Sequence, residues 1–412
     1  MQSINENPKK GTRILAGILT FLLVFLGIML VATLNAPTKG GPKVMETMQT
    51  YLAEVKRTAI PFLIGVALLA AAMGIMAART VYKVWPNQKK RATLFTAYSF
   101  LAPYLIITAI FTIGVIFFAL YISFTKYDIF TEPVWVGLGN YKKAFMGFTD
   151  STQKDFVQAL YNVVWYSLIV VPAQTALAIG LAVLLNSNIK MRNFFRTIFY
   201  APSVTSSVVI TLIFVWLYLK GGFLNGFLTS VLTPLGINFA PLPWLGDPRG
   251  LFQLFGFEID SAHWYLRGPS IAWMSIMFQN IFTTAPTFMI MFLAGLQDIN
   301  PVLYEAAAID GANGWQQFRK ITLPLLRPII LLVVVLGTIG TLQVFDQVYL
   351  ATQGGPLGTS LTPVYLIFRE AMGSQGPINM GYAAALAFIL AFIIFILTMF
   401  QRRVLESGTE KY

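Results

Sequence analysis

The sequence contains no cysteine. Disulfides and thiolate metal sites are therefore excluded, and nothing follows about redox compartment. It contains one histidine, His263, in a polar loop, where a lone imidazole reads as inert rather than as a base or a ligand. Charge is scarce as well. Only 11% of residues are Asp, Glu, Lys or Arg, against roughly 25% in a soluble domain. No G-x-x-x-x-G-K-[ST] loop exists to cradle phosphates, and there is no G-x-S-x-G elbow and no H-E-x-x-H pair. Asp298, Glu305 and Asp310 share a polar stretch that has no histidine to work with. The residues offer no catalytic constellation and no metal site, so binding or translocation fits better than catalysis. We find no repeat period and no low-complexity tract.

What the chain has in abundance is apolar sequence, 56% hydrophobic with a mean hydropathy of +0.68. A helix needs about 20 apolar residues to cross a bilayer. Eight runs qualify: 14–34, 59–78, 95–122, 160–185, 199–219, 271–296, 328–349 and 381–400. The expected fold is an all-α membrane protein with about eight transmembrane helices. The first run is too long for the apolar core of a signal peptide and reads as a retained span. With the N-terminus inside, the segments 1–13, 79–94, 186–198, 297–327 and 401–412 hold 17 of the 29 Lys and Arg, leaving 12 for the longer outer loops. That bias places both termini in the cytoplasm. It also explains the net charge of +12 without nucleic acid, since the cations flank membrane spans. Two outer loops, about 123–159 and 220–270, are long enough only for small caps, and 35–58 has room for a short amphipathic helix.

One polar stretch interrupts the apolar pattern, "YEAAAIDGANGWQQFRKITLP" from Tyr304 to Pro324. Asn300 suits a helix N-cap with Pro301 at the first helical position. Asp310-Gly311 suits a C-terminal stop, glycine taking the left-handed conformation. A second helical run, "WQQFRKITL", is expected to end before Pro324. The result is a cytoplasmic helix–turn–helix. Ala306, Ala307 and Ala308 leave one side of the first helix without bulk, so another surface can approach closely. Glu305, Arg319 and Lys320 offer charge to a partner. The competing reading is a hairpin resting on lipid headgroups.

The spacing Glu305-Ala306-Ala307, Gly311, Ile321, Leu323-Pro324 resembles the EAA loop of binding-protein-dependent ABC importers. Further stretches resemble permeases of the carbohydrate branch, the MalF and UgpA type. They are "VGLGNYKKAF" (136–145), "ALYNVVWYSLIVVPAQTALAIGLAVLLN" (159–186), "RNFFRTIFYAPSVTSSVV" (192–209), "MFLAGLQDINPVLYEAAAIDGA" (291–312) and "FDQVYLATQGGP" (345–356). The resemblance covers about residues 95–412. It implies a six-helix ABC importer permease core over 95–412 with the EAA loop at 297–327, preceded by an extension, 1–94, with two further transmembrane helices. It implies an inner (plasma) membrane location and a set of partners. These are a second, MalG-like permease, two MalK-like ABC ATPase subunits and an extracytoplasmic sugar-binding protein. It implies no cofactor in this chain, ATP and magnesium being bound by the ATPase. Glu305, Ala306, Ala307, Asp310 and Gly311 would dock on that ATPase. The 123–159 loop has no room for the large domain of enteric MalF, and 249–268 looks like an insertion, so the substrate cannot be copied across.

Polar residues inside spans are costly and tend to face a cavity or another helix. Asn280, Thr284 and Thr287 recur on one helical face beside Pro286. Thr338 and Thr341 lie in the next span with Gln343, Asp346 and Gln347 toward its outer end, and Asn162, Pro172 and Gln174 lie in the fourth. Neutral donors and acceptors beside Trp165, Trp273 and Phe345 suit a sugar. Asn280, Thr284, Thr287, Thr338, Thr341 and Asp346 are the candidate substrate contacts, with glue between helices as the rival role. A glycerol-phosphate importer would need a cationic pocket, and no Arg or Lys lies mid-span. An ion-coupled secondary transporter would need intramembrane carboxylates or an inverted repeat, and only Asp346 is available.

Overall fold

The structure is a computed structural model. It describes residues 100–146 (apart from 102 and 106), 154–187, 189–257 and 265–406. The expected spans at 14–34 and 59–78, the segment 35–58 and His263 lie outside the described residues.

The described chain divides into two units. The first comprises residues up to 121 together with 129–135. Most of helix α1 (Pro103–Ser123) falls in it. Phe111 and Tyr104 are about 70% exposed, as expected of a helix whose surroundings are lipid rather than protein. Its Ala109–Gly114 stretch is wound as a π-helix.

The second unit holds the remaining helices. In chain order they are α2 (Gly139–Phe145), α3 (Asp155–Asn186), α4 (Arg192–Val204), α5 (Ser207–Leu217), α6 (Phe223–Leu232), α7 (Leu251–Leu254), α8 (Ile271–Gln297), α9 (Val302–Ile309), α10 (Gly314–Gln317), α11 (Arg327–Leu342), α12 (Asp346–Ala351), α13 (Pro363–Met372) and α14 (Met380–Glu406). Among the described residues five helical stretches are long and apolar enough to cross a membrane, with α11 and α12 forming one of them, and the count is six if the bent α4–α5 pair is one span. The protein is thus a multi-pass, mostly α-helical membrane protein.

The centre of this unit is α3 packed along α8, with α11 and α14 against them. Small residues allow the approach: Ala159, Ala178 and Ala182 on α3, and Ala272, Ala285 and Gly295 on α8. Membrane helices associate through such close packing because lipid supplies no hydrophobic drive between them. One cluster at the start of both helices gathers Phe156, Tyr166, Trp273 and Ile276 with Leu386 and Leu390 of α14. A second at their far end gathers Leu185, Phe292 and Leu296 with Leu326 and Val333. The stretch 302–326 follows α8, so it lies at the end opposite to the first cluster. Pro172 and Pro286 sit inside α3 and α8, where neighbouring helices tolerate the lost backbone donor.

One expected span is corrected. Residues 199–219 do not form a straight helix. The chain turns by 94° between α4 and α5. Thr205 and Ser206 are extended at the break, Pro202 precedes it, and Ser206 starts the new helix. Helix α4 buries no residue. Its sequence alternates Phe194, Phe195 and Ile198 with Arg192, Asn193 and Arg196, which suits an interface better than a bilayer interior. The described residues of the 220–270 loop form a small cap, as expected. Buried Asn225 ties it together, donating to the carbonyls of Leu219, Lys220 and Leu242 and accepting from Trp244 Nε1. Within the expected insertion, Gly250 pairs with Ser270, and Arg249 holds the Asp247 carboxyl below the usual carboxylate range.

Candidate functional site

Two sets of residues were singled out by sequence, and the structure places them at different heights of the bundle. The first is the hairpin. Helix α9 starts one residue later than expected, and Asn300 Oδ1 still accepts from Val302 N–H at 3.0 Å. It ends at Asp310. Gly311 then adopts φ +80°, its N–H bonding Ala308 O at 3.0 Å while Ala312 N–H bonds Ala307 O at 2.9 Å. That pair of bonds is the Schellman stop, and it requires the left-handed residue. Asn313 and Gln316 cap α10 reciprocally.

Beyond α10 the expectation fails. The helical path does not end before Pro324. The turn Phe318–Thr322 widens to a π-helix, Leu323 N–H reaching back to Phe318 O, and the turn Leu323–Leu325 carries Pro324 onward to α11. Proline has no N–H to give, and placing it in the first turn after a widened one removes the conflict.

The hairpin's inner side is pinned. Tyr304 Oη and Thr322 Oγ1 are 2.9 Å apart, and Gln317 Nε2 donates to Tyr304 O at 3.4 Å. Its outer side is open. Glu305, Ala306, Asp310 and Gly311 are exposed and Ala307 is half-buried, while Ile309 is 88% and Trp315 68% exposed. The outer side therefore presents exposed charge and exposed apolar side chains beside a capped turn.

The second set is the polar face. Thr284 Oγ1 donates to Asn280 Oδ1 at 3.3 Å, and Thr287 is exposed one turn on. Thr338 and Thr341 are buried. Thr338 Oγ1 donates to Val334 O and accepts from Gln401 Nε2 at 2.8 Å, which ties α11 to α14. Thr341 Oγ1 donates to Thr338 O. Asp346 is exposed, and Ser207 Oγ donates to its Oδ2 at 2.6 Å, joining α5 to α12. No hydrogen bond among the described residues joins the α8 group to the α11 group. Sequence reading overlooked Gln279, whose Nε2 donates to Thr211 Oγ1 at 2.7 Å, and the Ser207 partner of Asp346. No local signal marks such pairs, because their members are 68 and 139 residues apart.

Comparison with known proteins assigns this architecture. The model of the family described as "Binding-protein-dependent transport system inner membrane component" matches residues 174–407, which includes the hairpin and the polar face. The chain belongs to this family. It is a transport permease of the ABC type, and it is not an enzyme, since the family's members translocate rather than catalyse. Among this permease's relatives, the probable ABC transporter permease protein YesP of Bacillus subtilis is 34% identical over 305 residues, spanning 73% of this chain and 87% of YesP. The lactose transport system permease protein LacF of Rhizobium radiobacter is 32% identical over 249 residues, spanning 60% and 74%. The arabinooligosaccharides transport system permease protein AraP of Bacillus subtilis is 30% identical over 317 residues, spanning 76% and 89%. A solved bacterial ABC transporter that imports the acidic polysaccharide alginate shares the fold, with a TM-score of 0.61 and 22% identity over 77% of this chain and 98% of that one.

Proposed function

We propose that this permease carries a neutral carbohydrate, a sugar, oligosaccharide or glycoside, into the cytoplasm. The observation that carries the reading is the agreement of two things. Relatives at about 30% identity are named for lactose and arabinooligosaccharide transport. The polar face of this chain offers amides and hydroxyls and no mid-span Lys or Arg. The glycerol-phosphate alternative suffers from that lack of cations.

The partners are a second permease of the MalG type, two ATPase subunits of the MalK type and an extracytoplasmic binding protein. Glu305, Ala306, Ala307, Asp310 and Gly311 dock on an ATPase, which supplies the ATP hydrolysis that this chain has no loop to perform. Asn280, Thr284, Thr287 and Asp346 contact the sugar. Thr338 ties α11 to α14 and Thr341 bonds back within α11 in the conformation described, and both join the path when α11 turns. The core begins near residue 95, the two preceding apolar runs add two spans for a total of eight, and both termini are cytoplasmic.

The test is ATPase activity of the reconstituted complex with its binding protein, against a panel of lactose, trehalose, arabinotriose and glycerol 3-phosphate. A sugar is expected to stimulate hydrolysis. Stimulation by glycerol 3-phosphate alone would replace the carbohydrate reading with its rival.

A further inference from the structure

A polar cleft of about 310 Å³ opens at the end of the bundle opposite to the hairpin. Its walls come from the first turn of α3, the turn after α12 and helix α13. Lys154, Asp155 and Gln158 stand on one side, the backbone of Gln353–Gly355 and Leu357–Gly358 on another, and Arg369 and Gln375 on the third. Nothing in the family reading assigns it a role.

The walls are built, not incidental. Arg369 is paired with Asp155 and lies 3.7 Å from Glu370, so the guanidinium is fixed and the local charge nearly balanced. The turn 353–358 is clamped from α3 by two buried amides. Gln158 Nε2 donates to Leu357 O at 3.2 Å, and Asn162 Nδ2 donates to Gly358 O at 2.9 Å and Leu361 O at 2.8 Å. Gly358 has φ +75°, and a Cβ there would fall 2.9 Å from Gln158 Nε2, so only glycine lets the turn close over the amide. Gln158 is 6% exposed. With its Nε2 committed to Leu357, its Oε1 is held in place at the cleft, and no described residue donates to it. That oxygen is not sealed off from solvent, so it is an acceptor held in place by the rest of its own side chain and open to a ligand O–H.

We propose that this cleft is a second sugar site, separate from the mid-membrane face, which receives one sugar unit by its hydroxyl edge at the outer mouth of the path. The inference rests on the carbohydrate reading. The volume lies at the low end for small-molecule pockets, which suits one ring rather than a chain. Donors (Lys154, Arg369) and acceptors (Asp155, Gln158) both line it, and hydroxyls match both kinds. The lining contains no aromatic ring, so the ring edge rather than the ring face is gripped.

The cysteine-free chain permits a direct test. Gln353→Cys and Gln375→Cys place single thiols on the exposed rim, with Leu235→Cys as a distant control. Modification by a membrane-impermeant maleimide is timed on the permease–ATPase complex, with the panel sugars alone at millimolar concentration so that no docked binding protein covers the cleft. A sugar that stimulates ATPase in the complete system is expected to slow the two rim thiols severalfold and to leave the control unchanged. Lys154→Ala is expected to raise the KM for uptake roughly five- to tenfold, the equivalent of one hydrogen bond. Unchanged rim labelling and unchanged KM, with a sugar that still stimulates ATPase, would overturn the cleft and leave the carbohydrate reading standing. Equal protection at the control would assign the effect to a global change and overturn the cleft as a site. If no sugar in the panel stimulates ATPase, the carbohydrate reading fails and takes this inference with it.

Discussion

Gly295 on α8 packs directly against the start of α11. A Cβ built there would fall 1.9 Å from Ile329 Cδ1, 3.1 Å from Leu326 Cδ2 and 3.4 Å from Ile329 Cγ1. Carbon atoms in contact prefer about 3.5–4.0 Å. Gly295→Ala therefore forces Ile329 into another rotamer or pushes α11 away, and overpacking of this kind costs about 1–3 kcal/mol. Ile329→Val removes Cδ1, the worst of the three contacts, at about 0.5–1.5 kcal/mol of its own. The two substitutions should thus compensate. Thermal unfolding of the purified complex is expected to show the double variant more stable than the sum of the singles by about 1 kcal/mol or more. Substrate-stimulated ATPase activity should follow the same order, because the seam lies directly above the hairpin. Additive losses would show that Ile329 is not what Gly295 makes room for, and the packing argument would fail.

Gly311→Leu should insert normally but lose substrate stimulation of the ATPase. No atom crowds a Cβ there, so the intrachain cost is the 1–2 kcal/mol of the left-handed backbone, and the rest is a blocked docking surface. Near-normal stimulation would return the hairpin to the lipid-surface reading. Asn280→Leu should lower uptake while co-purification with the ATPase persists, whereas unchanged uptake would leave Asn280 as helix glue. Single thiols at Ser187→Cys and Gly221→Cys should label from opposite sides of the membrane, and labelling of both from outside would reject the orientation. Gly221 serves here because a Cβ on neighbouring Gly222 would sit 2.7 Å from two backbone carbonyls.

The long helices and the hairpin stop were legible because each depends on local chemistry, apolar length in one case and a glycine after a capped helix in the other. The bend at Thr205–Ser206 was also written locally, in "PSVTSS", but the apolar residues on either side outweighed the hydroxyl run. The course through Pro324 was misread for a different reason. Proline normally marks a stop, and the widened turn that accommodates it draws on packing of Thr322 and Leu326 against the bundle. The polar face was visible as a stripe on α8, yet the stripe does not reveal that Thr338 is engaged by Gln401 or Asp346 by Ser207. Those assignments need the third dimension.

The nearly unbroken helical path from Gly314 to Leu342 has a mechanical consequence. At about 1.5 Å per residue its two arms, 314–325 and Arg327–Leu342, are roughly 18 Å and 24 Å long. Its one joint, at Leu326, is buried and wedged against Gly295, so it has little freedom to flex. A strut without a free joint does not absorb a stroke. If the hairpin is the docking element proposed above, a displacement applied to it would pass through this joint as a rotation of the face that carries Thr338 and Thr341. Because Gly337 abuts the amide of Gln174, at 2.5 Å from where a Cβ would stand, that rotation would be felt at once by α3. Alanine at Gly340, where nothing crowds a Cβ, should stiffen the path without disturbing that contact, and substrate-stimulated ATPase activity should persist.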